Sequence, residues 1–137
     1  MRAKQVLVGG HAVGDVVGTT VPLSFWGGVN PETGKVIDSH HELCGQSLVN
    51  RVLVMPSGRG SCTASVVLLE CLLLKHAPAA ILLNELDEIL ALGVILADEL
   101  FSLSIPVVVV DEEVYTKVSD ARRIEVFEDG RISILPV

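Results

Sequence analysis

Residues 56–65 read PSGRGSCTAS and lie between two apolar runs, 52–55 and 66–69. Two glycines flank Arg59, and small hydroxylated residues crowd the start of a predicted helix. Ser61 falls at or near the N-cap of that helix. Unpaired backbone N–H groups and the helix dipole favour negative charge there. An anionic substrate group could bind at such a position. So could a serine alkoxide, which is otherwise too basic to persist, with Arg59 as a fixed positive charge beside it. The same residues also suit a purely structural role, because serine is a preferred N-cap and glycine permits a tight strand-to-helix turn. On the residues alone both readings stand.

Standard templates do not decide between them. A Walker loop needs lysine before its serine or threonine, and Gly60 precedes Ser61. The hydrolase elbow G-x-S-x-G is absent. Residues 58–63 are a fragment of G-x-G-x-x-G without its third glycine.

Other groups carry weaker signals. Asp38, His40, His41 and Glu42 gather potential metal ligands. Adjacent histidines point in different directions, however, so joint ligation needs a third group; supporting or surface roles are the alternative. His11 and His76 are isolated. The stretch 23–28 holds the only tryptophan, Trp26, beside Gly27 and Gly28. An aromatic there could wall a pocket or plug the end of a sheet. Asp111, Glu112 and Glu113 read as a solvated segment after a strand. The three cysteines, Cys44, Cys62 and Cys71, show no C-x-x-C spacing. That suits a reducing compartment and gives neither a disulfide framework nor a self-contained zinc or iron–sulfur site, so no metal ligand is expected in this chain.

The elements that must position these groups follow from patterning. Strand-like pieces are predicted at 5–8 and 16–23, a strong turn at 30–34, a short strand at 36–37 and a polar loop at 38–45. The middle alternates: strand 51–55, helix 61–75, strand 79–83, helix 87–100, strand 105–110. Strands apolar throughout, with helices between them, indicate a parallel sheet covered on both faces. The helix 87–100 is apolar almost all round, so it should lie under other elements or under a partner chain. Asp129 and Gly130 set a tight hairpin between 123–127 and 131–135. The expectation is one α/β domain, 1–137, with a partly parallel sheet, two main helices and a C-terminal hairpin.

Composition limits the function. The chain has 137 residues, of which 50% are hydrophobic and 20% charged, so a sizeable core is expected. A net charge of -7 with no basic run removes the electrostatic footprint of nucleic-acid binding. Charged residues interrupt the apolar runs well short of the roughly 20 residues a spanning helix needs. The first apolar stretch is too short for a signal peptide, which leaves the cytoplasm as the expected compartment.

Taken together, several stretches resemble the aconitase X family. They are VGGHAVGDVVGTTVPLSFWGGVNPETGKVIDSHHELCGQSL, VLVMPSGRGSCTASVVLLE, HAPAAILL and DEILALGVILADELFSLSIPVVVVD, spanning about residues 4–111. The resemblance implies the small, swivelling β/β/α domain of a two-part hydro-lyase. A large subunit would carry iron or an iron–sulfur cluster on its own cysteines, with the small part standing alone here. It implies that Ser61, the serine of the GRGS loop, is the catalytic base that removes a proton next to a carboxylate. Gly58, Arg59, Gly60, Cys62 and Thr63, with Ser24 and Phe25, are the expected substrate contacts. Wider aconitases follow their serine with Ser-Arg. Cys62 and Thr63 stand there in this chain, so that arginine's contacts do not carry over.

Family members dehydrate either cis-3-hydroxy-L-proline or phosphomevalonate. The wording PSGRGSCT with ADELFSLSIPVVV is closer to the hydroxyproline type. The alternative of another class is a non-catalytic binding module in which Ser61 only caps a helix. In the enzyme, the loop 58–63 and the segment 23–28 should face the large subunit together.

Overall fold

The computed structural model describes residues 1–58 and 62–136, without the Cys62 side chain. Among them run strands β1 (Gln5–Val8), β2 (Ala12–Gly18), β3 (Val29–Asn30), β4 (Lys35–Val36) and β5 (Val52–Met55). Helix α1 (Cys62–Leu73), β6 (Ala80–Leu83), α2 (Glu88–Phe101) and β7 (Val107–Val109) follow. The chain ends with α3 (Glu112–Ser119), β8 (Arg123–Val126) and β9 (Ile132–Ile134). One mixed sheet has the order β1-β7-β6-β5-β2-β8-β9. Its middle, β7-β6-β5-β2, is parallel; β1, β8 and β9 add antiparallel to it. Beyond β1 and β9 the edges meet. Arg2 pairs with Arg131, and the Ala3 N–H donates to the Gly130 carbonyl at 2.7 Å. The sheet therefore curls toward itself, and residues 1–3 cover part of the β9 edge.

The central strands are buried on both faces, as their unbroken apolar runs require. Leu53, Met55, Ile81, Leu83 and Val107 join one core cluster, which includes Leu68 and Leu72 of α1 and Leu90, Val94 and Ala97 of α2. The alternate residues Val52, Val54, Ala80, Leu82 and Val108 join a second cluster with Val114, Tyr115 and Val118 of α3. The period of two thus separates α1 and α2 on one face from α3 on the other. Gly93 lets α1 and α2 approach closely, since a Cβ there would overlap the Ser65 carbonyl oxygen. The Ser65 hydroxyl in turn donates to the Ile89 carbonyl.

Three features depart from the sequence-based expectation. The segment after β7 is a helix: Asp111 caps α3 by accepting from the Val114 N–H at 2.9 Å, while Glu112 and Glu113 form its exposed first turn. Strand β2 starts at Ala12 and stops at Gly18, leaving 19–23 as an irregular segment. Helix α2 buries only one face, through Leu90, Ala91, Gly93, Val94 and Ala97; Leu92, Ile95, Leu100 and Phe101 are exposed. Among the described residues no helix is long and apolar enough to cross a membrane.

Candidate active site

The four parallel strands run the same way, so their carboxyl ends share one edge of the sheet. Ligands of α/β sheets bind at that edge. It carries 19–25 after β2, 56–58 after β5, 84–87 after β6, and Val110 and Asp111 after β7. The first three converge. Leu23 pairs with Gly58 in a parallel bridge. The Asn84 and Glu85 N–H groups donate to the Pro56 carbonyl at 3.1 and 2.9 Å. Thr19 continues the ladder by donating its N–H to the Val54 carbonyl at 2.9 Å. Gly58 also lies against Asp87, where a Cβ would overlap one carboxylate oxygen.

Arg59, Gly60 and Ser61, three of the expected site residues, lie outside the described residues, as does the Cys62 side chain. The residues on either side of them are described. Gly58 closes the turn after β5, and Cys62 opens α1. The first turn of α1 contains no acidic residue. Thr63 is exposed on that turn.

The expected contacts in the stretch 23–28 divide. Ser24 is partly exposed and its hydroxyl donates to the Trp26 carbonyl at 3.0 Å. Phe25, expected to touch substrate, is 0% exposed and packs in the core with Leu23, Leu43 and Leu48. Its ring therefore supports the segment from beneath and offers no surface to a ligand. The next residue, Trp26, is 62% exposed, so of the two aromatics Phe25 plugs the sheet end and Trp26 faces outward.

The segment 19–25 is held by side chains that the sequence did not single out as partners. The Tyr115 hydroxyl donates to the Thr19 carbonyl at 2.5 Å, and the Thr19 hydroxyl donates to Glu42. The Thr20 N–H adds a bond to the same Glu42 oxygen at 3.3 Å. The Thr19 bond, followed by that from Thr20, holds the Glu42 carboxyl below its usual range. His41 is buried. Its Nδ1 accepts from the Leu43 N–H at 3.0 Å, which leaves the Nε2 proton for the Val21 carbonyl at 3.2 Å. His41 thus ties the 38–45 loop to the segment after β2, while His40 stays exposed. Burial, reinforced by Glu70, pushes the Cys71 thiol up to about 12, so it remains a protonated packing group. Cys44 is exposed in its loop. Among the described residues no group of three or more His, Cys, Asp and Glu side chains is arranged to hold a metal ion.

The family model of the aconitase X swivel domain matches residues 1–134. The chain belongs to that family. Among curated relatives of the aconitase X swivel domain, cis-3-hydroxy-L-proline dehydratase of Pseudomonas aeruginosa is 55% identical over 79% of this chain. The chain spans only 19% of that relative's length. The phosphomevalonate dehydratase small subunit of Thermococcus kodakarensis is 38% identical over 90% of this chain and 94% of its own. A crystal structure of Thermococcus kodakaraensis aconitase X in its holo-form superposes with a TM-score of 0.83 at 35% identity, covering 98% of this chain and 97% of that one. The mixed α/β architecture expected from the aconitase X resemblance is the one found.

Proposed function

We propose that residues 1–137 act as one swivelling domain, the serine-bearing part of an aconitase X-type dehydratase working in the cytoplasm. The observation that carries this reading is the junction at the carboxyl end of β5. There the chain passes from Gly58 to α1, whose first turn has no acidic residue to occupy the positive end of the helix dipole. In this reading Ser61 is the base. Its oxygen, held as alkoxide by backbone N–H groups of the helix start and by Arg59, takes a proton from the carbon next to a carboxylate. Gly58, Gly60, Cys62, Thr63 and Ser24 shape the pocket around the substrate. A family of this kind calls for iron or an iron–sulfur cluster, and the residues described here do not fit one. In this reading a large subunit holds the group, which would act as Lewis acid on the departing hydroxyl while Ser61 takes the proton. The free Cys44 and Cys71 suit a reducing compartment.

The preferred substrate is cis-3-hydroxy-L-proline, supported by the 55% identity to a relative of that name. Phosphomevalonate is the second reading, because a small subunit so named matches along 94% of its own length. The test is Ser61→Ala, combined with the large subunit and assayed on both substrates. Folding should persist, with about 0.5–2 kcal/mol lost if a cap is removed. Dehydration should fall by roughly 10²–10⁴-fold. Near-normal kcat with the variant would remove Ser61 as the base, and the module without catalysis would then be the better description.

A further inference from the structure

The first turn of α2 touches the loop in question at more than one point. Asp87 is half-buried, and one of its carboxylate oxygens caps α2 by accepting from the Leu90 N–H at 3.0 Å. The other oxygen lies against Gly58, where any Cβ would overlap it; Leu90 Cδ2 would be 3.6 Å from the same Cβ. Just before, the Asn84 and Glu85 N–H groups hold the Pro56 carbonyl. Just after, the Ser65 hydroxyl holds the Ile89 carbonyl, and Gly93 fits against the Ser65 backbone. Pro56, Gly58 and Ser65 bracket residues 59–61, so the start of α2 fixes the chain on both sides of them.

We propose that Asp87 is a positioning residue for the turn at Gly58: one carboxylate oxygen caps α2, and the other sets the seat of the Gly58 backbone. With Asp87 held as the cap of α2, glycine is the residue that lies on that oxygen without displacing the carboxylate. This assignment rests on the reading of Ser61 as the base for its catalytic consequence, but the contact itself does not. Asp87 does no proton chemistry. It determines where the loop enters α1, and a displacement of about 1 Å in a catalytic group costs up to two orders of magnitude in rate.

The experiment uses the full 137-residue chain, followed by its complex with the large subunit. Asp87→Ser retains an oxygen for the Leu90 N–H and removes the one against Gly58. By NMR, the Gly58 and Gly60 amides should shift and exchange about tenfold faster, while the α2 amides and Tm stay near wild type. In the complex kcat should fall about tenfold with little change in KM. Gly58→Ala should be damaging in the wild-type background and milder beside Asp87→Ser, because the obstructing oxygen is gone. Unshifted loop amides, or equal damage by Gly58→Ala in both backgrounds, would overturn the proposal. Should Asp87→Ser not fold, Gly58→Ala decides alone: it must shift the amides of Glu88 and Leu90, and their invariance would overturn it. Because these amides are read without turnover, a failure of Ser61 as base remains separate from a failure of Asp87.

Discussion

Two strand-to-helix junctions at the same edge of the sheet are built in opposite ways. After β7, Asp111 accepts from the Val114 N–H, and Glu112 and Glu113 fill the first turn of α3. After β5, the chain enters α1 through glycines and small residues, with no acid in the first turn. Both helix starts present positive dipole ends. One carries its own carboxylates, whereas the first turn of the other contains no acidic residue. Stability alone favours the first arrangement, and the second fits the anion-holding role proposed for the start of α1.

The sharpest way to break this contrast is to make α1 resemble α3. Thr63→Asp adds a carboxylate to the first turn, which should leave Tm unchanged or slightly raised. Repulsion of this added charge with the proposed alkoxide or substrate anion should lower kcat on the order of a hundredfold. Circular dichroism and steady-state kinetics of the complex check both halves. Unchanged kcat would mean that no anion uses this helix start.

The rim of the same junction provides the next test. Trp26 is the exposed aromatic of the segment whose Leu23 pairs with Gly58. Trp26→Glu should weaken association with the large subunit by about 2 kcal/mol, roughly thirtyfold in Kd, measurable by analytical ultracentrifugation. Glu113→Lys, on the exposed first turn of α3, should stay within about 0.5 kcal/mol. Gly28→Glu, in the same segment 23–28, would not serve: Gly28 is buried, and a Cβ would overlap the Ser24 carbonyl oxygen. It would damage the turn before reporting on any partner.

A smaller effect is expected at the α3 junction itself. Asp111→Ala removes the cap of α3 and should cost about 1 kcal/mol in thermal unfolding, with kcat within twofold of wild type. The smallest is set by Glu42. Its carboxyl is held below the usual 4.5 in the folded chain, by Thr19 first and Thr20 second. The associated stability is therefore fully present above pH 4.5 and is lost as pH falls through the lowered folded value. Melting curves should show Glu42→Gln losing less between pH 5 and pH 3 than wild type does; parallel curves would count against this role.

Much of this arrangement was legible from residue patterns. The apolar runs ending at Met55, Leu83 and Val110 read as buried parallel strands because helical stretches separate them. The turn before β4 and the Asp129–Gly130 hairpin followed from proline and glycine chemistry. Helix α3 was missed because its acidic opening reads as solvated. Yet Asp111 before Glu112, with Val114, Tyr115 and Val118 at helical spacing, is an N-cap and an apolar face. What no local pattern contains is pairing across the chain. Tyr115 reaches Thr19, Glu42 reaches Thr19, and Asp87 meets Gly58 only once the sheet is assembled. For the same reason the sequence could not say which of Phe25 and Trp26 turns inward.

The curl of the sheet also has a mechanical consequence. The Met1 amino group donates to the Ile132 carbonyl at 3.2 Å, so the first residue and the last strand lie side by side and form a seam. β5, which carries the loop, is the middle strand, three strands from the seam in either direction and roughly 14 Å along the sheet. A pivot at the seam therefore acts as a crank. Ten degrees of turn would carry the loop roughly 2 Å, comparable to the difference between a hydrogen bond made and one broken.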